Sequence, residues 1–193
     1  RVGLPSNRPT VLYAPTWRKE SSLYSLGEAV IAALVRKDWN VLVKLHDLCY
    51  YPSYNTVDWD ARLRALEHRN LRVVRDYNVV PYLFASDLLV TDASSVANEF
   101  TLLDRPIVFV EAPRLTEKYG KTIDLETWGT KTGRVVRSAD ELAEAAEWAL
   151  YHPGELSDVR RAAAADIFYN PGTATDRAVE QIYAALQLEA PSP

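Results

Sequence analysis

The amino-acid sequence predicts an α/β fold: a doubly wound, mainly parallel sheet with helices on both faces. Three observations support this prediction. Short apolar runs alternate with longer stretches whose apolar residues recur at the helical period. The runs are apolar almost throughout, as in strands covered on both faces, rather than alternately apolar and polar. The connections between the elements are short, which is typical of repeated strand–helix units.

Six apolar runs are predicted to form the strands of this sheet. The first, residues 10–14, is rich in strand-forming side chains and ends at Pro15. The second, residues 41–45, is followed directly by His46. The other four runs comprise residues 71–74, 87–90, 106–110 and 134–136.

Amphipathic stretches between and after these runs are predicted to be helices. The clearest helix start is Ser138, which stands three residues before Glu141 in a capping box. Residues 111–133 show no clear period and are predicted to be a loop. The predicted helical ranges are 26–37, 58–68, 82–86, 94–103, 138–150, 157–168 and 173–188. In the last of them, the side chains expected to face the core are Val179, Ile182, Tyr183 and Leu186.

Length and composition exclude several classes of function. The 193 residues are enough for one sizeable core, and the net charge of −4 without a long basic run argues against nucleic acid as a partner. Cys49 is the single cysteine, so no internal disulfide is possible and a reducing compartment is expected. No apolar run approaches the roughly 20 residues that a membrane span needs, and no signal peptide opens the sequence.

The ends of the sequence carry an expectation about domain organisation. Residues 1–9, which contain two prolines, are predicted to be a linker, and residues 10–190 are predicted to form one domain. Because the sequence contains no methionine and begins at Arg1, we expect it to be a piece of a longer protein. Part of a functional site is then expected to lie outside it.

The predicted turn after the fourth strand is the first candidate site. In doubly wound sheets, ligands bind outside the carboxyl ends of the strands, and a strand-to-helix turn offers unpaired N–H groups to a phosphate. We therefore interpret Ser94 and Ser95 as phosphate ligands, although either residue could simply cap the following helix. Asp92 would repel a phosphate, so it is expected to cap a helix or to hold a sugar hydroxyl.

Further polar residues are predicted to meet at the same edge of the sheet. His46, two residues after Lys44, could donate a hydrogen bond to a phosphate oxygen or a leaving group, or it could be a structural histidine. Thr16 and Arg18 follow the first strand, and Arg177 opens the last helix; both arginines could meet a diphosphate or form surface ion pairs. Glu99 lies about one helical turn beyond Ser95, and its alternative is a solvated helix charge.

Several common sites are absent from the sequence. There is no G-x-G-x-x-G and no G-x-x-x-x-G-K, which disfavours a standard dinucleotide site and a P-loop. No histidines, cysteines and acids have metal-ligand spacing, so no metal site is predicted. The G-x-S-x-G turn of the α/β hydrolases is also missing.

Five motifs in one order make a family resemblance visible. They are residues 12–18 (LYAPTWR), 44–46 (KLH), Asp76 with 82–95 (YLFASDLLVTDASS), 103–109 (LDRPIVF) and 172–177 (GTATDR). In this order and spacing, the sequence resembles the CDP-glycerol glycerophosphotransferase family, whose members build teichoic acids and related cell-wall polymers. The resemblance covers nearly the whole sequence.

The resemblance implies a GT-B architecture, of which this chain would be the C-terminal, Rossmann-like half that binds the donor nucleotide. It implies that an acceptor hydroxyl attacks the β-phosphorus of CDP-glycerol and expels CMP, without a cofactor. His46 would be the catalytic residue of this half. The substrate-binding residues would be Thr16, Arg18, Asp92, Ser94, Ser95, Glu99 and Arg177.

The same resemblance places other parts of the enzyme outside this chain. A second histidine, the general base, belongs to an N-terminal acceptor-binding half, so this chain alone is expected to bind nucleotide without turnover. The other expected partner is a lipid-linked or polymeric acceptor. The expected location is the cytoplasm, at the periphery of the cytoplasmic face of the membrane.

Three departures from the family pattern leave the identity of the nucleotide donor undetermined. Asp47 stands where the family has proline, Ala93 where it has tyrosine, and Asn98-Glu99 where it has Phe-Asp. One alternative is a GT-B glycosyltransferase or epimerase that uses a UDP-sugar, since the fold is shared. Another is a non-catalytic nucleotide-binding or interaction module, with a partner surface near Tyr50, Tyr51 and Trp59.

Overall fold

A six-stranded parallel sheet forms the centre of the chain in a computed structural model, which describes residues 3–5, 7–66, 68–122 and 127–188. Its strands run in the order β3-β2-β1-β4-β5-β6, and every neighbouring pair is parallel. The predicted doubly wound α/β fold is thereby confirmed. The strands are β1 (Thr10–Tyr13), β2 (Asn40–Lys44), β3 (Leu71–Val74), β4 (Leu88–Thr91), β5 (Ile107–Val110) and β6 (Arg134–Val136).

Eight α-helices and one 3-10 turn, Asp47–Tyr50, connect and cover these strands within the described ranges. The helix that sequence periodicity missed is α5, in the stretch predicted to be a loop. Its seven residues bury only Leu115, which is too little to show a period. The helices are α1 (Ser22–Val35), α2 (Trp59–Ala65), α3 (Val80–Phe84), α4 (Val96–Thr101), α5 (Pro113–Tyr119), α6 (Ala139–Tyr151), α7 (Ser157–Ile167) and α8 (Ala174–Ala185).

Both faces of the sheet are buried, as the apolar strands predicted. Along β1, Val11 and Tyr13 belong to one apolar cluster, whereas Leu12 belongs to the other. The first cluster is shared with α1 and α6, and the second with α4 through the fully buried Phe100. Burying a large apolar side chain completely stabilises the fold by about 1.5–3 kcal/mol, so the two clusters hold the strand ends firmly in register.

The strand order places the topological switch point between β1 and β4. The chain passes from β1 outward through β2 to β3 and then returns to the other side of β1 at β4. Tyr13 pairs with Val90, and the Thr91 hydroxyl donates a hydrogen bond to the Ala14 carbonyl (2.7 Å). The segments that follow these two strands therefore leave the sheet side by side, and a crevice opens between them.

The last helix differs from its prediction. The apolar face of α8 was expected to point into the core, but α8 buries none of its side chains. Ile182 and Leu186 are exposed. The prediction was wrong because a helical period shows that one face is apolar without showing what that face packs against.

The start of the chain contacts the sheet. The Asn40 side-chain amide donates a hydrogen bond to the Pro5 carbonyl (2.7 Å), and Arg8 forms an ion pair with Asp38. The division into a linker and one domain stays a prediction, and its boundary at residue 190 lies outside the described residues. Within the described ranges, no helix combines the length and the apolarity that crossing a membrane requires.

Candidate active site

A cleft of about 780 Å³ lies at the switch point. Its walls come from the loops after β1 and β2, the turn between β4 and α4, and the segment after α5. Residues far apart in the sequence meet there because all parallel strands end at the same edge. The predicted site residues that line the cleft are Thr16, Arg18, His46, Asp92, Ser94, Ser95 and Glu99.

Asp92 organises the walls of the cleft. Its buried carboxylate accepts hydrogen bonds from the Thr16 N–H (2.8 Å), the Ser22 N–H (2.9 Å) and the Ser22 hydroxyl (2.8 Å). It therefore caps the start of α1, rather than the helix that follows it in sequence. Three bonds to one buried carboxylate fix the β1–α1 loop against the β4–α4 turn.

Thr16 ties the same two segments together a second time. Its hydroxyl donates a hydrogen bond to the Ala93 carbonyl (3.2 Å), while its N–H is held by Asp92. Because the hydroxyl hydrogen of Thr16 is already used within the protein, its oxygen can only accept a hydrogen bond from a ligand.

Ser94 and Ser95 face the cleft without an internal role for their hydroxyls. Ser95 precedes α4, yet its side chain makes no capping hydrogen bond. Among the described residues, neither serine hydroxyl has a hydrogen-bond partner. Because α4 has six residues instead of the ten predicted over 94–103, its dipole contributes less than the sequence suggested. The Ser94 N–H already donates to the Asp92 carbonyl (2.8 Å), so the Ser94 hydroxyl is the donor that this residue leaves for a ligand.

His46 stands at the carboxyl end of β2 with its tautomer set by the backbone. Its Nδ1 accepts a hydrogen bond from the Leu48 N–H (3.1 Å), which assigns the ring proton to Nε2. Partial burial lowers the pKa of His46 from its ordinary value of 6.5, against an opposing effect of Asp47. Near neutral pH the ring is therefore uncharged and presents an Nε2–H donor.

The cleft also contains a buried lysine that is already paired. Lys44 is buried, and its ammonium donates to the Leu45 carbonyl (3.0 Å) and lies 3.6 Å from the Asp47 carboxylate. Asp47, one of the departures from the family pattern, thus offsets the charge of Lys44. Arg18 differs, because its guanidinium has no ion pair with any described carboxylate and lies over the rings of Trp17 and Tyr119.

Of two further predicted site residues, the structure places one in the cleft and the other outside it. Glu99 is half-buried in the wall of the cleft, one turn into α4. Arg177 does not line the cleft: its guanidinium donates to the Tyr169 carbonyl (3.0 Å) and lies 4.6 Å from the Tyr169 ring centroid. The structure therefore brings together all the predicted site residues except Arg177.

Aromatic side chains are the part of the cleft that sequence reasoning missed. Trp17, Tyr77 and Trp128 line it from three separate loops, and Tyr77 is 89% exposed. Trp17 belongs to the motif of residues 12–18 and follows the first predicted strand. That position was the signal that could have assigned it to the cleft. Trp128 follows no strand, and nothing local predicted its place. Its indole N–H donates to Asp166 (2.8 Å).

A metal centre finds no support in the described part of the chain. No group of three or more histidines, cysteines or acids there is arranged to hold a metal ion. The cleft also contains hydroxyls, an imidazole and two cations, which can bind an anion, while two of its three carboxylates, those of Asp47 and Asp92, are engaged within the protein.

Known proteins with similar sequences point in one direction. The teichoic acid glycerol-phosphate primase of Bacillus spizizenii is 32% identical over 111 residues, which are 55% of this chain and 26% of that protein. The teichoic acid glycerol-phosphate transferase of Staphylococcus aureus is 31% identical over 131 residues, 62% of this chain and 30% of that protein. The matched region thus spans less than a third of either relative.

Solved structures agree on the fold. The wall teichoic acid polymerase TagF superposes with a TM-score of 0.67 and 22% identity, over 97% of this chain and 47% of that one. S. aureus MnaA in complex with UDP gives a TM-score of 0.54 at 17% identity, over 97% of this chain and 48% of that one. These similarities confirm that the chain has the predicted fold of a GT-B half.

The family described as CDP-Glycerol:Poly(glycerophosphate) glycerophosphotransferase matches this sequence over residues 1–184. That match covers nearly all of the described fold and every residue of the cleft named above. The predicted family resemblance is confirmed. The chain therefore belongs to the CDP-glycerol:poly(glycerophosphate) glycerophosphotransferase family.

Proposed function

We propose that the cleft binds the diphosphate of a CDP-alcohol donor. The chain would be the donor-binding part of a transferase that moves a glycerol-phosphate-type group to a hydroxyl acceptor in cell-wall or capsule polymer synthesis. The observation that carries this proposal is the convergence of the Ser94 and Ser95 hydroxyls, the His46 Nε2–H and the Arg18 guanidinium on one cleft. Four hydrogen-bond donor groups around one space suit a diphosphate.

In the proposed transfer reaction, negative charge develops on the phosphate that leaves with CMP. The acceptor oxygen forms a bond to the β-phosphorus, the bond from that phosphorus to the bridging oxygen breaks, and the electron pair leaves with CMP. The Nε2–H of His46 and the Arg18 guanidinium would offset the charge that builds on the leaving phosphate. The acceptor's proton would go to a base that the family resemblance places outside this chain.

The size and lining of the cleft support a nucleotide ligand. A volume of about 780 Å³ lies within the range of roughly 300–1,000 Å³ that small-molecule sites occupy. Trp17, Tyr77 and Trp128 offer ring faces on which a base could stack. A structure of a TagF variant soaked with CDPG is among the similar folds, in keeping with a cytidine nucleotide.

A UDP-sugar is the second candidate donor. The observation that favours it is the similar fold of MnaA in complex with UDP. The family match over residues 1–184 favours the cytidine donor instead, because it covers the whole cleft. The proposal also includes the remaining partners: an acceptor-binding domain, and a lipid-linked or polymeric acceptor reached at the cytoplasmic face of the membrane.

Calorimetric titration of the chain tests the proposed donor. We expect CDP-glycerol and CDP to bind more tightly than CMP, because the second phosphate adds charged hydrogen bonds, and UDP to bind more weakly than CDP. The double variant Ser94→Ala/Ser95→Ala should lose at least about tenfold in CDP affinity. Ser25→Ala is the matched control, since Ser25 is an exposed serine of α1 away from the cleft.

Two results would contradict the donor site. One is the absence of any nucleotide binding at millimolar concentration. The other is an affinity for CDP that the double serine variant leaves unchanged. A preference for UDP or a UDP-sugar over CDP would instead replace the cytidine donor with the second candidate.

A further inference from the structure

Arg18 is held by aromatic rings from two distant parts of the chain. Its guanidinium carbon lies 4.8 Å from the centroid of the Trp17 ring and 4.2 Å from the centroid of the Tyr119 ring. Both distances are within the roughly 6 Å over which a cation and a ring attract each other. Trp17 belongs to the loop after β1, whereas Tyr119 is the last residue of α5.

The two segments that carry these rings are fastened to each other. Lys118, next to Tyr119, forms an ion pair with Glu20, two residues beyond Arg18. The hydrogen bond from Lys118 lowers the pKa of the Glu20 carboxyl. The Glu20 carboxylate, which Arg18 also attracts, is thereby held by Lys118 and forms no ion pair with Arg18.

Trp17 also lies close to two further aromatic rings. Its ring lies 6.1 Å from the His46 ring and meets Tyr54 edge to face at 6.2 Å. A single indole thus contacts both groups that the proposed function assigns to the diphosphate, Arg18 and His46.

A stacked guanidinium keeps its hydrogen-bonding capacity. Stacking uses the faces of the planar group, and its N–H donors lie in the plane, where they can meet two phosphate oxygens at once. Arginine otherwise loses much rotamer freedom when it binds a ligand, so a guanidinium held in advance binds an anion more tightly. Of the cations lining the described part of the cleft, Lys44 is paired with Asp47, while Arg18 has the rings.

We propose that Tyr119 and Trp17 are positioning residues, which hold Arg18 so that its N–H groups meet the donor diphosphate. The proposal rests on the proposed function, that the cleft binds a nucleoside diphosphate. It gives α5 a role in the site, although α5 lies in the stretch without a sequence period. Tyr119 acts through Arg18, so its effect should depend on the phosphates and on Arg18.

The variant Tyr119→Leu tests this proposal, with Tyr119→Phe as the matched control that keeps the ring. Each is titrated calorimetrically with CDP and with cytidine. Tyr119→Leu should weaken CDP binding by about three- to tenfold, whereas Tyr119→Phe should stay within about twofold of the unmodified chain. Cytidine has no phosphate, so its affinity should be the same in all three proteins.

The dependence on Arg18 is tested by repeating the tyrosine change in an Arg18→Ala background. There Tyr119→Leu should have no further effect on CDP affinity, because the group that it positions is gone. Far-UV circular dichroism checks folding, and Tyr119→Met replaces the leucine variant if that variant does not fold.

Three outcomes would overturn the positioning role while CDP binding itself persists. They are equal CDP affinities in the leucine and phenylalanine variants, an equal loss for CDP and cytidine, and an undiminished effect of Tyr119→Leu without Arg18. If the unmodified chain binds no CDP, the proposed function itself fails. The titration of the unmodified chain separates these cases.

Discussion

His46 shows at the scale of one residue how backbone geometry selects a chemical state. The Leu48 N–H donates to Nδ1, so the neutral ring carries its proton on Nε2. Partial burial lowers the pKa and keeps that state near neutral pH. This ring can donate its Nε2–H to a phosphate oxygen while neutral, and protonation adds a positive charge without removing that donor.

The first prediction concerns the pH dependence of His46. A bound diphosphate favours the protonated ring, so it raises the pKa of His46 in the complex above the lowered value in the free chain. The affinity for CDP-glycerol should therefore rise as the pH falls from 7 toward 5. CDP-glycerol is preferred to CDP because its diphosphate is esterified at both ends and therefore has no phosphate ionisation in this window.

Two controls accompany this measurement. His46→Ala should bind CDP-glycerol about tenfold more weakly at pH 7, and its affinity should change little with pH. The stability of the free chain should respond in the opposite direction. The folded state favours the neutral ring, so this contribution is complete above the ordinary pKa of 6.5 and is lost as the pH falls through the lowered folded-state pKa. An affinity that falls with the pH in the unmodified chain would contradict the assignment.

At the scale of an element, α7 is anchored by one buried arginine. The Arg160 guanidinium donates to the Asp104 carboxylate (3.0 Å) and to the carbonyls of Glu155 and Pro153 (both 2.7 Å). Asp104 has a positive φ of 49°, which an aspartate tolerates better than most residues. The arginine thereby joins the α4–β5 turn to the segment between α6 and α7.

We predict that Arg160→Ala destabilises the fold strongly, although Arg160 lies outside the cleft. Removing the guanidinium takes a donor from the carbonyls of Glu155 and Pro153 and leaves the Asp104 carboxylate with Ser157 and Arg161 as its partners. Because the Asp104 side chain is 31% exposed, we expect a loss of about 3 kcal/mol, the lower end of the range for broken buried pairs. Urea unfolding measures the change in the free energy of unfolding. Its neighbour Arg161, whose side chain is 62% exposed, is the control, and Arg161→Ala should cost at most about 1 kcal/mol. Similar losses for both variants would refute the anchoring role.

At the scale of the whole molecule, polar groups from one sheet edge line the cleft, and the proposed function assigns several of them to the nucleotide donor. The acceptor and its base have no assigned place among these residues. Under the proposed function, binding and turnover should therefore be separable in this chain. The fold already holds the proposed phosphate ligands in place, whereas proton removal from the acceptor needs a further group.

We accordingly predict that this chain binds CDP-glycerol without releasing CMP to a poly(glycerol phosphate) primer. Binding should raise the melting temperature, since a ligand at a hundred times its Kd stabilises by about 2.7 kcal/mol. CMP release is measured by chromatography over hours, and the double variant Ser94→Ala/Ser95→Ala controls for the shift in melting temperature. Release of CMP above that of the variant would show that the base lies within this chain.

The sequence by itself determined the sheet and the edge at which the site lies. Apolar runs such as residues 10–14 and 41–45 mark buried strands locally, and parallel strands necessarily bring their following residues together. That is why Thr16, His46, Ser94 and Ser95 could be assigned to one cleft before the structure. Each of these residues comes shortly after a predicted strand, and a strand can be recognised from the local pattern of apolar residues.

Only the tertiary structure decided the partners of the polar groups. Asp92 caps a helix that begins 70 residues earlier, and Tyr119 reaches Arg18 from α5 across about a hundred residues. Arg177 matched a family motif, yet its guanidinium contacts Tyr169 outside the cleft. Hydrogen bonds and ring contacts form between segments that the packed sheet brings within a few ångströms of each other. The pattern of apolar and polar residues along the sequence does not show which distant segments these are.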